Sequence, residues 1–163
     1  MNIRPQLRIK LLCIPKIPSD NNLYERRAGG GGRRMRDGPK NVKQVLFVRF
    51  LEWLQRHRHL AEQCLAASLM HAELHLGCPR GVLYTKAGGL QAWDVGNHRK
   101  LAEDAFTMAA RKLVPSYDDR LHRPLDLDAS PSGDGQWHLA LWLTPRNRDA
   151  DWEDTAAARG SQL

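Results

Sequence analysis

The stretch from Asn41 to Leu76 runs 36 residues without a proline or a glycine, and within it the apolar period changes. Arg49, Glu52, Arg56, His59 and Gln63 recur at spacings of three and four as one polar stripe, with Phe47, Phe50, Leu54, Ala61 and Leu65 opposite. That is helical spacing, and Asn41 with Gln44 resembles a capping box with Asn in place of the hydroxyl residue. Beyond Ser68, Met70, Ala72, Leu74 and Leu76 alternate with Leu69, His71, Glu73 and His75, the period of a strand. The chain is therefore expected to pass from a helix ending near Ala67 straight into a strand.

Other segments fit around this core. Leu7, Ile9, Leu11 and Cys13 alternate with Arg8, Lys10 and Leu12 and predict a strand ending at Pro15. Residues 19–40 hold Gly29 to Gly32 and five arginines with little to bury, and read as a flexible basic loop. Residues 78–93 read as a loop with a small hairpin at Gly88–Gly89. Asn97 is expected to cap a second helix reaching about Leu113, where Pro115 stops it. Strands follow over 121–127 and 137–143. The order predicts a small single-domain α/β sandwich over residues 1–145, a mixed sheet with two helices on one face, followed by a mobile acidic tail over 146–163.

Val, Ile, Leu and Phe make up 36 of 163 residues, about 22%, only just above the ~20% below which charged chains stay unfolded. Such a chain has room for one core and none for a large multidomain enzyme. The longest runs free of Asp, Glu, Lys and Arg, Gln63–Ala72 and Gly135–Pro145, are far shorter than the ~18 residues of a membrane span. Pro15 and Pro18 cut Leu11–Ile14 below the length of a signal-peptide core. Three scattered cysteines, Cys13, Cys64 and Cys78, imply no disulfide framework, which suits the reducing cytoplasm. The net charge of +7 is distributed unevenly, as +10 over residues 1–60 and −4 over residues 101–163.

Several chemistries fall away on spacing. Cys64, His71, His75 and Cys78 lie close in sequence but not at zinc spacing, and ordinary histidines and buried thiols are the stronger reading. His71-Ala72-Glu73 lacks the later Pro-Cys-x-x-Cys of the zinc deaminases. Gly29 to Gly32 opens no helix and no Gly-Lys-Ser/Thr occurs, so no phosphate cradle is expected. A calcium loop read from Asp126 would meet Pro131 and Trp137 where Gly and Glu are required.

The carboxylates are more informative. Asp94 precedes the second helix, Asp104 lies within it on the face of Lys100, and Asp118–Asp119 follow it. Acids at both ends of one helix with a lysine on its polar side suit Mg²⁺ and a phosphate, because Mg²⁺ takes one or two carboxylates and completes its shell with water and phosphate oxygens. A capping aspartate and a solvated turn account for the same residues on spacing alone.

Trp93-Asp94-Val95-Gly96-Asn97-His98-Arg99-Lys100, then Ala102-Glu103-Asp104-Ala105-Phe106 and Asp118-Asp119, resemble the Asp-x-Asp-Asn-x-x-Lys helix and Asp-Asp turn of the RusA-like Holliday-junction resolvases. Pro18-Ser19-Asp20-Asn21-Asn22-Leu23-Tyr24 is similar to that family's Pro-Ser-x-Asn segment, and the resemblance spans roughly residues 7–144. It implies a small α/β homodimer that binds four-way DNA junctions and nicks two strands symmetrically with Mg²⁺. Asp94, Asp119 and Asp118 would hold the metal, Asp94 and Asp119 would be catalytic together with Lys100, and Asn97 and Asp104 would adjoin them. Lys100 would contact phosphate, and Arg26, Arg27, Arg33, Arg34 and Arg36 would contact DNA. Gly96 stands where the family has its second Asp, so either Asp104 or Asp118 substitutes or metal is held weakly. A junction-binding relative with little or no cleavage is the alternative. A non-enzymatic assembly subunit is the third reading and predicts no salt-sensitive DNA binding.

Overall fold

Alternation along β1 (Leu7–Ile14) buries Leu7, Ile9 and Leu11 and leaves Arg8 and Lys10 exposed, in a computed structural model that describes residues 5–26, 32–67, 69–91 and 93–146. A short ribbon follows, β2 (Tyr24–Arg26) paired with β3 (Arg33–Met35). Helices α1 (Asp37–Arg56) and α2 (Arg58–Leu65) lead to strand β4 (Met70–Cys78) and the one-turn helix α3 (Arg80–Leu83). Helix α4 (Lys100–Ala110) then precedes strands β5 (His122–Pro131) and β6 (Trp137–Pro145). The main sheet is mixed and runs β1-β6-β4-β5, with β5 parallel to β4 and the other pairs antiparallel. The chain is thus α/β, and among the described residues no helix is long and apolar enough to cross a membrane.

One face of the sheet is covered. Ala72, Leu74, Leu139 and Leu141 form a single core with Leu46 and Phe50 of α1, Leu65 of α2 and Phe106 of α4. Phe50 and Phe106 meet edge to face at 5.2 Å, a preferred aromatic geometry that joins the two long helices.

Several boundaries depart from the sequence expectation, each for a local reason. The helix starts at Asp37, not Asn41: Arg36 is extended, and Pro39 falls in the first turn, where its missing N–H costs nothing, so the Asn41–Gln44 capping box does not form. The helix also breaks at His57 (φ −117°, ψ 33°), whose ring nitrogen donates to the Trp53 carbonyl at 2.9 Å and stacks on the Trp53 ring. Polar periodicity persists through that break, so it gives no warning.

The flexible loop expected over residues 19–40 is largely built. A 3-10 turn (Asp20–Asn22) and the β2–β3 ribbon occupy it, anchored by buried Leu23, whose carbonyl accepts from the Arg36 N–H at 2.9 Å. A cross-strand ion pair, Arg34 to Glu25 at 2.6 Å, closes the ribbon. Arg27, Gly29 to Gly31 and the tail from residue 147 lie outside the described residues. The hairpin at Gly88–Gly89 forms through a Tyr84–Leu90 bridge, with Gly88 at φ +86°.

Candidate active site

The motif residues collect around the start of α4. Asp94, rather than Asn97, is the cap, and it caps a 3-10 turn (Val95–His98) instead of α4 itself. Its Oδ1 accepts from the Gly96 N–H at 2.8 Å and its Oδ2 from the Asn97 Nδ2 at 3.1 Å. A Cβ added at Gly96 would stand 3.1 Å from Asp94 Oδ1, so the glycine leaves this carboxylate exposed and uncrowded. Buried His98 fixes the turn by donating from Nδ1 to the Ile17 carbonyl at 3.0 Å while stacking on Trp93.

Lys100 opens α4 and links the remaining groups. Its ammonium lies 3.5 Å from Asp104, which also receives Lys43 from α1 at 3.4 Å. Asp104 is the main cause of a raised Lys100 pKa, burial opposes it, and Tyr24 and Asp119 add to it, so Lys100 stays cationic. The ribbon residue Tyr24 and the late residue Asp119 are therefore both within electrostatic range of one lysine.

Asp118 and Asp119 differ although they are neighbours. Asp118 accepts from the Arg120 backbone at 2.9 Å and from both Nε and Nη2 of its guanidinium, and lies 3.7 Å from Arg111. Arg120 holds its carboxyl well below the usual range. Asp119 is half-buried beside it. Behind them Tyr117 meets His122, which faces Glu103 of α4 at 3.5 Å, so the chain leaving α4 folds back along it. Burial pushes the Tyr117 phenol pKa well up, keeping it neutral.

Sequence reasoning passed over Asp20 as a site residue. Its Oδ2 lies 3.4 Å from the Lys100 backbone N–H, while its Oδ1 is buried with no hydrogen-bond partner among the described residues. Desolvation raises its carboxyl pKa, opposed by the Lys100 N–H and by the charges of His98, Arg99 and Lys100. The signal was present: Asp20 is one of only four acids in the first sixty residues, inside the Pro-Ser-x-Asn-like segment.

Of the proposed DNA contacts, Arg33, Arg34 and Arg36 are exposed on or beside β3 and Arg26 ends β2. Asp94, Asp119 and Asp20 do not draw their oxygens within 4.8 Å of one another as a trio. Among the described residues, Cys13, Asp134 and His138 alone form such a potential metal cluster. There the Cys13 N–H occupies His138 Nδ1 at 2.9 Å, so Nε2 carries the proton given to Asp134 at 2.7 Å, and the ring keeps no free lone pair for a cation. The Cys64, His71, His75 and Cys78 group separates: burial pushes the Cys64 thiol up to about 11 and Cys78 faces the core, while His71 and His75 lie on the opposite face of the sheet.

No protein-family model matches the chain, and no curated protein does. Among solved structures, the CDP complex of IspF from Plasmodium falciparum is similar at a TM-score of 0.25 and 12% identity, over 67% of this chain. The match spans 57% of the IspF chain, and at that TM-score it carries no argument about fold or function.

Proposed function

We propose that the chain is a structure-selective endonuclease of the RusA-like type, nicking four-way DNA junctions by Mg²⁺-dependent phosphodiester hydrolysis. The observation that carries this reading is the meeting at Lys100 of acids distant in sequence with the base of an arginine-bearing ribbon. Asp104 and Asp118, the candidates to replace the family Asp missing at Gly96, are already neutralised by lysines and arginines. Asp94, Asp119 and Asp20 remain as hard oxygen donors, and Asp20 brings a buried oxygen that lacks a donor. Two carboxylates with water and phosphate oxygens satisfy Mg²⁺, so the set fits without a preformed trio.

In this reading Asp94, Asp119 and Asp20 would hold Mg²⁺, which would supply Lewis-acid stabilisation of the phosphate and a more acidic water. Lys100 offsets the charge that builds on the non-bridging oxygens, and the Gly96 and Asn97 donors fix the Asp94 carboxylate. The arginines of the ribbon bind backbone phosphates without reading sequence. A two-fold symmetric junction offers two equivalent phosphates, which calls for two copies of the chain.

The wide spacing of the carboxylates favours a second reading, junction binding with weak or no cleavage. A nicking assay on a four-way junction beside a linear duplex, with and without Mg²⁺, separates the two. Mg²⁺-dependent paired nicks on the junction support the nuclease; tight binding with no nicks supports the second reading, and the lack of salt-sensitive binding to either substrate refutes both.

A further inference from the structure

The chain leaving α4 turns through a loop whose base and tip differ in chemistry. At the base the Tyr117 hydroxyl meets His122 Nε2 across five positions, and both side chains are buried. The tip between them carries Asp118 and Asp119, each half-buried. Phe106 of α4 supports the base: its ring lies edge to face with Tyr117 at 5.7 Å and stands 6.4 Å from His122. The second ring nitrogen of His122, Nδ1, faces Glu103 at 3.5 Å. Glu103 stands one turn after Lys100 on the same helix, so the loop base is referred to the turn that holds the lysine. Both ends of the loop are fixed as well. Arg111 Nε donates to the Tyr117 carbonyl at 2.7 Å, and the Leu121 N–H to the Asp118 carbonyl at 3.1 Å.

The protons of this buried chain have one consistent placement. Burial keeps the phenol neutral, and among the described residues its hydroxyl meets no partner other than His122. A hydroxyl donating to Nε2 leaves the ring's own proton on Nδ1, where it faces Glu103. Carboxylate, imidazole and phenol thus run as one line of acceptors and donors from α4 to the loop. Apolar side chains would fill the same volume beside Phe106 without the desolvation that three polar groups bring. What the polar line adds is direction, because hydrogen bonds hold only within a narrow range of distance and angle, whereas apolar contacts let a loop slide.

We propose that Glu103, His122 and Tyr117 are positioning residues for Asp119, holding the loop tip at a fixed place against Lys100 so that the carboxylate is set before a cation or phosphate arrives. The inference rests on the nuclease reading, in which Asp119 is a ligand, and deepens it by naming what sets that ligand. Asp119 lies within electrostatic range of Lys100 and of Tyr117 alike: it adds to the raised pKa of Lys100 after Asp104 and Tyr24, and to that of Tyr117 after burial and Cys64. A displacement of about 1 Å in a group that must meet the reacting phosphate costs on the order of 100-fold in rate.

Three variants of the full chain test this. Tyr117→Phe removes one oxygen, His122→Leu removes both ring nitrogens, and His122→Gln keeps an acceptor within reach of the phenol. The first two are expected to speed amide hydrogen exchange at residues 118–121 about tenfold, to weaken Mg²⁺ binding to the free protein about tenfold in calorimetry, and to lower single-turnover nicking at saturating Mg²⁺ about 100-fold, with the junction Kd kept within about twofold. His122→Gln should recover most of each loss. Residues that only support the fold would lower the melting temperature and leave the Mg²⁺ affinity and the exchange of this loop unchanged. Far-UV circular dichroism confirms folding, and should His122→Leu unfold, Tyr117→Phe and His122→Gln decide. Loop exchange or Mg²⁺ affinity at the wild-type value in Tyr117→Phe overturns the proposal, as does a folded His122→Gln that behaves like Tyr117→Phe. A wild-type chain that nicks junctions while Tyr117→Phe nicks equally well refutes the positioning alone; a wild-type chain that neither binds Mg²⁺ nor nicks refutes the nuclease and the positioning with it.

Discussion

The carboxylates around α4 divide into two regions with different electrostatic fates. On one side Asp104 is shared by Lys43 and Lys100, and Asp118 is clasped by Arg120 with Arg111 nearby. At the turn before the helix, Asp94 receives donors from neutral groups only, and Asp20 leaves one buried oxygen unpaired. The first pair ties elements together: α1 to α4, and the chain after α4 to its end. The second retains negative charge that no side-chain cation among the described residues offsets by direct contact. A folded protein that leaves acids uncompensated next to a lysine retains capacity for a cation or a phosphate. Neighbouring positions in sequence, Asp118 and Asp119, fall on opposite sides of this divide.

The same distinction between committed and free charges applies to the arginines and gives the largest expected effect. Arg34 already answers Glu25, whereas Arg33 and Arg36 are exposed and make no ion pair among the described residues. Glutamine at Arg26, Arg27, Arg33 and Arg36 should flatten the slope of log K against log salt by about 3.6, which is about 150-fold in the change of affinity between 50 and 200 mM salt. Arg34→Gln alone should leave the slope nearly unchanged; filter-binding titrations on a four-way junction measure both.

The acids themselves come next. Asp94→Asn or Asp119→Asn should lower single-turnover nicking at least about 100-fold with junction binding retained, whereas Asp104→Asn and Asp118→Asn should stay within about tenfold of the wild-type rate. Full activity in both Asp94→Asn and Asp119→Asn would erase the divide. Gly96→Asp should act in the other direction. Its Cβ presses on the Asp94 carboxylate, so the two acids repel without metal and share it when it is added. The Mg²⁺ concentration for half-maximal nicking should fall by about tenfold, and an unchanged requirement would mean that Asp20 already completes the set.

The smallest effect concerns stability. Because the folded pKa of Asp20 is raised, its contribution is most favourable at acid pH and is lost as pH rises through the folded value. Asp20→Asn should remove that loss and raise the melting temperature at neutral pH by about 2 °C, with no gain at acid pH where the carboxyl is already protonated. Asp20 is only half-buried, which keeps the effect small. Calorimetry at both pH values decides it.

The strands were legible because apolar alternation records burial directly: Leu7 to Leu11, Met70 to Leu76 and Trp137 to Leu143 lie as read. Residues 19–40 were harder, because the ribbon depends on Leu23 reaching a core built from distant elements and on a cross-strand pair that no local period encodes. The helix break at His57 arises from a ring bonding its own helix's carbonyl, and polar residues flank it on both sides. At the site, Asp94, Lys100 and Asp119 could be singled out from spacing, since all flank one helix. Their partners could not. Which acids meet an arginine or a lysine depends on how Lys43, Arg111 and Arg120 approach from elsewhere, and Asp20 reaches Lys100 across eighty positions.

The strand order has a bearing on how the molecule comes into being. The last of the described strands, β6, is an inner strand, flanked by β1 and by β4. While the chain emerges from the ribosome, β1 therefore has no neighbour until Trp137 onward is free, and the helices made meanwhile have only half a surface to settle on. Loop-closure entropy for the β1–β6 pair is met at the end, not the beginning, which makes folding slow relative to chains with local contacts. During that interval the exposed β1 edge depends on Arg8, Lys10, Pro5 and Pro15 to discourage pairing with another nascent chain. A stop codon shortly before Trp137 would remove the strand that joins the two halves of the sheet, leaving the helices and β1 without a common floor.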